Sequence, residues 1–198
     1  MEFQDVIRKR KMYRSYLDKP VDPETIDLLL ENAIRAPSAG FSQGWGFLVL
    51  DTPDDTRRFW EMNWDDRDQN PRWQTMENAP VIIIPMANKK AYIDRYAEPD
   101  KGWTDRDEGR WPTPFWITDT SFAAMNILLT VVDQGLGALF FGIRDIPRFR
   151  KTFNVPEEYE PIGAISIGHP DPSDRPSPSL KRGRTPISEV VRRGNWSE

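Results

Sequence analysis

Apolar positions recur along this chain in two patterns, which together predict helices alternating with short buried strands. After Asp22-Pro23-Glu24, the residues Ile26, Leu29, Leu30, Ala33 and Ile34 form an i, i+3, i+4, i+7, i+8 stripe, the signature of an amphipathic helix. Asp22 is its expected N-cap and Pro23 its first helical residue. It is expected to stop at Ala36-Pro37, because a residue before proline resists helical dihedrals. Phe3, Val6 and Ile7 predict a helix at the start of the chain. Thr52-Pro53-Asp54-Asp55 opens another, with Phe59 and Trp60 inward. The longest helix is expected from a cap at Asp119, through Phe122, Ala123, Ile127 and Val131, to Gly135-Leu136-Gly137. A short helix is expected near Pro147 to Thr152. Buried strands are read in Phe47–Leu50, in Val81–Ile84 (β-branched or apolar throughout and closed by Pro80 and Pro85), in Ala138–Ile143 and in Ile162–Gly168.

Composition narrows the chemistry. The 198 residues suit one domain with a sizeable core, and no repeat or linker divides them. With no cysteine, thiolate metal sites, disulfides and cysteine nucleophiles are excluded. A Ser–His–Asp triad would have to use His169, the one histidine. A net charge of -4 gives no overall attraction to nucleic acid or to an anionic membrane. No uninterrupted apolar run approaches about 20 residues, and Met1–Asp5 has no signal-peptide pattern, so a cytoplasmic protein is expected.

Four stretches carry candidate chemistry. Arg8-Lys9-Arg10-Lys11-Met12-Tyr13-Arg14 packs five cations into seven residues. It reads either as the basic last turn of a helix or as a phosphate grip using Arg10 and Arg14. Ala36-Pro37-Ser38-Ala39-Gly40-Phe41-Ser42-Gln43-Gly44-Trp45 joins a helix to a strand through small and hydroxyl residues, which let a ligand approach the backbone. Residues 97–116, rich in charge, proline and tryptophan, read either as a loop pinned to the core by its rings or as a lid or aromatic wall. Residues 170–198 form a proline-rich tail with a basic then amphipathic end, read as a frayed terminus or as an arm across another subunit.

Taken in order, these stretches resemble the FMN-dependent nitroreductase family, which includes flavin reductases and iodotyrosine deiodinase. Arg10–Arg14 is similar to the family's Arg-Arg-Ser-x-Arg, Ala36–Trp45 to its Ala-Pro-Ser-Ala-x-Asn-x-Gln-Pro-Trp, Gly135–Gly142 to its Gly-Leu-Gly segment, and Lys181–Ile187 to its closing Arg-x-Pro-Leu. The resemblance covers nearly the whole chain. It implies an α+β nitroreductase-like fold, a central, mainly antiparallel sheet flanked by helices, in an intertwined homodimer whose C-terminal extension embraces the partner. It implies FMN held by Arg10, Lys11, Met12, Arg14, Pro37, Ser38, Ala39, Gln43, Leu139, Phe140, Phe141, Gly142, Arg182 and Arg184, with the basic residues of both ends meeting at the phosphate. Substrate contacts are expected from Phe41, Trp111, Phe115 and Trp116.

The activity implied is that of an NAD(P)H-dependent flavin oxidoreductase. NAD(P)H is a transient donor that passes hydride to flavin N5, and a small, flat aromatic acceptor, a nitro compound or quinone, then takes the electrons. Backbone near Leu139–Phe141 would face N5, Arg10 or Lys11 would stabilise the N1–O2 edge, and no residue is singled out as a catalytic acid or base. Three positions depart from the family pattern: Met12 replaces a serine, Phe41 an asparagine and Gly44 a proline. They leave open a flavin- or deazaflavin-binding protein without turnover, or an ene-reductase or dehalogenase on the same scaffold.

Overall fold

The computed structural model describes residues 1–64 and 74–196. Its framework is an antiparallel sheet built from β1 (Trp45–Leu50), β2 (Val81–Asn88), β3 (Gly137–Phe141), β4 (Tyr159–Pro161) and β5 (Ala164–Gly168), in the order β1-β2-β5-β3 with β4 also paired to β2. Among the described residues there are also seven α-helices: α1 (Phe3–Lys9), α2 (Pro23–Ala33), α3 (Pro53–Asn63), α4 (Lys89–Tyr96), α5 (Phe115–Asp133), α6 (Ile146–Phe153) and α7 (Ile187–Val190).

Alternation along the strands divides the core in two. Val81, Ile83, Ala138, Ile165 and Ile167 pack with Leu29 and Ala33 of α2 and with Ala123, Ile127 and Val131 of α5. Ile82, Ile84, Met86 and Leu139 point the other way, onto Phe59, Trp60 and Met62 of α3 and Phe149 of α6. Both faces of the sheet are therefore covered, which is why these strands read as unbroken apolar runs. Each fully buried Ile or Leu contributes about 1.5–3 kcal/mol by leaving water.

Several predicted boundaries move. β1 begins at Trp45, before the apolar run. β2 runs on through Pro85 to Asn88. Pro85 is tolerated because its partner edge changes there from β5 to β4, and its carbonyl accepts from Ile162 N at 3.0 Å. The lost donor thus faces a break in the ladder. The strand expected from Ile162 begins instead at Ala164 as β5, and β4, not expected, precedes it across Ile162 and Gly163. β3 ends at Phe141. α5 starts at Phe115, so Asp119 is an interior helical residue, 2% exposed, and not a cap. Asp22 does stand at the N-cap of α2, with no side-chain bond there. Thr52 caps α3, its side chain accepting from Asp55 N.

At 19 residues α5 is long and apolar enough to span a bilayer, yet half of its apolar window is buried within the fold and it packs against α2, β2 and β3. It is a core helix.

Candidate functional site

Two of the expected stretches meet at one edge of the sheet, the loop before β1 lies at the other edge, and the basic tail stands apart. After α1, residues 12–16 lie along the outer edge of β3. Met12 bridges Ala138, and Tyr13 N donates to Ala138 O at 2.9 Å. Tyr16 fastens this strap: its buried hydroxyl lies 3.1 Å from Ser166 O and 3.0 Å from Ser166 Oγ, and burial pushes its pKa up. Arg14 N donates to Asp174 Oδ1 at 2.9 Å, tying the strap to the segment leading into the tail.

The strap and β3 share a cleft of about 290 Å³, lined by Arg14, Leu139, Phe140, Phe141 and Gly142 together with Asn63, Trp64, Met76 and Arg144. A Cβ built on Gly142 meets nothing within 4 Å, so the end of β3 offers bare backbone to an approaching group. Behind it three rings stack. Phe141 and Trp60 are 5.5 Å apart at 11°, Trp60 and Trp64 are 5.7 Å apart at 10°, and the Arg144 guanidinium lies 5.5 Å from the Trp64 ring. Asn63 Oδ1 accepts from Arg144 N at 3.1 Å. Asn63, Trp64 and Arg144 were not expected at the site. Asn63 and Trp64 end a helix whose sequence signals only core packing, and Arg144 follows an apolar strand with nothing local to mark it. Of the basic residues, Arg14 and Arg144 line the cleft, whereas the Lys11 ammonium lies 4.3 Å from the ring of Tyr13.

A larger cleft of about 830 Å³ lies across Trp60 and Trp64 from this one, lined by Asp18, Asp51, Glu61 and Glu77 among others. It holds none of the expected residues. Burial raises the Glu77 carboxyl pKa there.

The loop before β1 is held from α4 and α5. Asp119 Oδ2 accepts from Ala39 N at 2.8 Å and from the Tyr92 hydroxyl at 2.7 Å. Ser38 Oγ accepts from Gln43 N at 2.8 Å and lies 3.3 Å from the Tyr92 hydroxyl. Arg95 Nε donates to Gly40 O at 2.9 Å. Between these anchors Gly40, Phe41 and Gln43 all take positive φ, at 61°, 54° and 50°, a conformation that two side-chain-bearing residues adopt only under outside constraint. Phe41 is left 74% exposed. Asp119, Tyr92 and Arg95 were not foreseen as supports, since nothing local links them to residues 37–43.

Residues 97–114 wrap over α4, and their rings pack inward. Trp111 is the hub, with ring centroids 4.5 Å from Tyr96, 5.3 Å from Trp103 and 6.0 Å from each of Tyr92, Phe115 and Trp116. The tryptophans therefore pack the segment against α4. Arg182 and Arg184 lie on the tail, where residues 178–196 are all exposed; residues 197–198 of the expected arm lie outside the described residues.

The two groups do not meet in one chain. β1 and β3 are opposite edges of the sheet, and their antiparallel run brings Trp45 and Phe141 to the same end of it. The strands that carry the loop and the cleft are three strand spacings, about 14 Å, apart across the sheet.

Comparison with known proteins gives one answer throughout. A model of the nitroreductase family matches residues 7–169. A candidate NADH dehydrogenase/NAD(P)H nitroreductase of Methanothermobacter thermautotrophicus is 29% identical over 174 residues, covering 86% of this chain and 78% of that protein. A nitroreductase family protein from Streptococcus pneumoniae superposes with a TM-score of 0.75 at 21% identity, over 96% of this chain and 99% of that one. A candidate nitroreductase from Exiguobacterium sibiricum, crystallised in complex with FMN, superposes with a TM-score of 0.73 at 20% identity, over 100% and 98%. The chain belongs to the nitroreductase family and, by that membership, is an oxidoreductase.

Proposed function

We propose that this protein is an FMN-dependent NAD(P)H oxidoreductase that reduces a small, flat aromatic acceptor, a nitro compound or quinone, and that it works as a homodimer. The observation that carries the reading is the split site: a cationic cleft with open backbone at one sheet edge, and a braced loop of left-handed residues at the other. Each is half of an enclosure. A second copy related by a two-fold axis supplies to each cleft the loop that its own chain holds out of reach.

The residues fit the group. Arg14 offers a forked cation for a phosphate, with Arg10, Arg182 and Arg184 as further donors from the strap and from an arm. Leu139–Gly142 offer an apolar strand end with free backbone on which a flat ring system can lie. Ser38, Ala39 and Gln43 of the other copy, with Pro37, would close the opposite side. FMN, when bound, supplies the hydride chemistry between NAD(P)H and the acceptor. This chain's residues bind and orient it. With FMN bound, Arg144 would add positive charge beside the strand end on which the ring lies, with Arg10 or Lys11 as further candidates for the N1–O2 edge. Asn63 holds the backbone at Arg144. Phe41 and Phe115 give the acceptor an exposed aromatic surface, with Trp111 and Trp116 behind them.

The visible spectrum of the purified protein under anaerobic conditions tests this. A yellow flavin spectrum bleached by NADH or NADPH and restored by a nitroaromatic or quinone is expected. A second reading, a flavin-binding protein without turnover, rests on the bulk of the projecting Phe41 where the family pattern has asparagine. It predicts bound flavin that dithionite reduces and neither nucleotide does.

A further inference from the structure

Asp119 sits in the interior of α5, 2% exposed, and its Oδ2 takes two hydrogen bonds. One comes from a backbone N–H, which has no choice of direction, and a carboxylate can only accept. The Tyr92 hydroxyl therefore spends its single proton on Asp119. Tyr92 keeps that proton, since burial pushes its pKa well above the usual tyrosine value. At the 3.3 Å contact between Tyr92 and Ser38, Ser38 must then be the donor. One Ser38 lone pair is already used by Gln43 N. What remains facing outward is a single lone pair.

We propose that Asp119 is a positioning residue for the ligand-facing loop, acting through Tyr92 to turn the Ser38 proton inward so that Ser38 meets the flavin only as an acceptor, from an N–H or O–H of the cofactor. This rests on the flavin reading above. It explains why a buried carboxylate is kept in the middle of the core helix, at a desolvation cost, beside a loop with three left-handed residues. It also means that the Ala39 N–H is bound within the protein and is not offered to the ligand.

Tyr92→Phe keeps the ring and the bond from Ala39 N to Asp119 and removes only the hydroxyl, so that Ser38 is released to point a donor at the cofactor. The test is a double-mutant cycle on FMN dissociation constants, titrated by flavin fluorescence with the full chain and without nucleotide. Tyr92→Phe and Ser38→Ala are each expected to weaken FMN about tenfold, the size of one hydrogen bond. The double variant is expected to be no weaker than Ser38→Ala by more than about twofold, because the effect of Tyr92 travels through Ser38. A scaffold defect at Tyr92 would instead add to the loss at Ser38. Asp119→Leu, which takes away the acceptor that Tyr92 points to, gives a second cycle for Asp119 itself; Asp119→Asn does not, because its amide oxygen can take both bonds. Additive losses in either cycle, or a Tyr92→Phe protein that binds FMN as the parent does, overturn the proposal while leaving the flavin reading intact. A parent chain that binds no FMN overturns both.

Discussion

A methyl group added at Gly44 would lie 2.4 Å from Cε2 of Tyr92 and 2.7 Å from the carbonyl oxygen of Asn88. Those distances account for the departure from the family's proline at this position: the Tyr92 ring that supports Ser38 and Asp119 fills the room a side chain would need. Gly44→Ala should therefore destabilise the protein by about 1–3 kcal/mol, the usual cost of overpacking. In a chain of this size that lowers the melting temperature by about 2–4 °C per kcal/mol, measurable by calorimetry. An unchanged melting temperature would show that α4 yields easily and that the loop is less firmly braced than the contacts imply. The motif around Gly44 was legible in the sequence because its residues are consecutive. The supports were not. Asp119 follows a proline-rich stretch and reads as a helix cap, a local inference that fails because Phe115 and Trp116 find ring partners and extend the helix upstream of it.

At the scale of elements, α4 and the segment after it are held by rings on the inside and by ion pairs on the outside. Asp94 pairs with Lys90 and with Arg106 at 2.6 Å, Asp100 with Arg95 at 2.7 Å, and Asp105 with Arg110 at 2.5 Å. Hydrogen bonds from Lys90, Arg95 and Arg110 respectively are the main reason that the three carboxyls titrate below the ordinary aspartate value of 3.8. A depressed folded pKa means that the stabilisation is fully present above the unfolded value and is lost as pH falls through the folded one. The amides of residues 97–111 should accordingly lose hydrogen-exchange protection as pH drops below about 3.8, ahead of the sheet. Arg95→Gln should move that loss to higher pH. Protection that persists until the sheet itself opens would mean that the rings alone hold the segment. The elements themselves were mostly readable, because apolar runs and capping residues are local signals. β4 was missed, and β2 cut short at Pro85, because pairing across a sheet depends on a partner edge that no local pattern records.

At the scale of the molecule, the fold leaves apolar surface that one chain does not cover. Phe3 and Ile7 of α1 are 62% and 43% exposed, and Phe122 and Met125 of the core helix α5 are 46% and 45% exposed. The tail adds Leu180, Ile187 and Trp196, at 66%, 77% and 80%. Surface of this kind on α1 at the start of the chain, on α5 in its middle and on an arm at its end is what an intertwined dimer consumes. The sequence showed the arm's composition but not that its apolar residues lack cover within their own chain, which is a property of the folded surface. Among the described residues, ending the chain at Ser177 removes only ones that are exposed in one copy, so the monomer's fold should survive, with far-UV circular dichroism of the sheet and core helices retained. The losses should fall on assembly and on the cofactor: sedimentation should show dissociation to monomer at concentrations where the full chain is dimeric, and FMN binding should weaken because each split site loses its second half. Arg182→Gln with Arg184→Gln separates the two effects. It should leave the dimer intact and weaken FMN by about 10- to 100-fold, the range for charge-assisted bonds to a phosphate. A truncated chain that sediments as a dimer and binds FMN like the parent would assign the exposed α1 and α5 faces, and not the arm, as what holds the two halves of the site together.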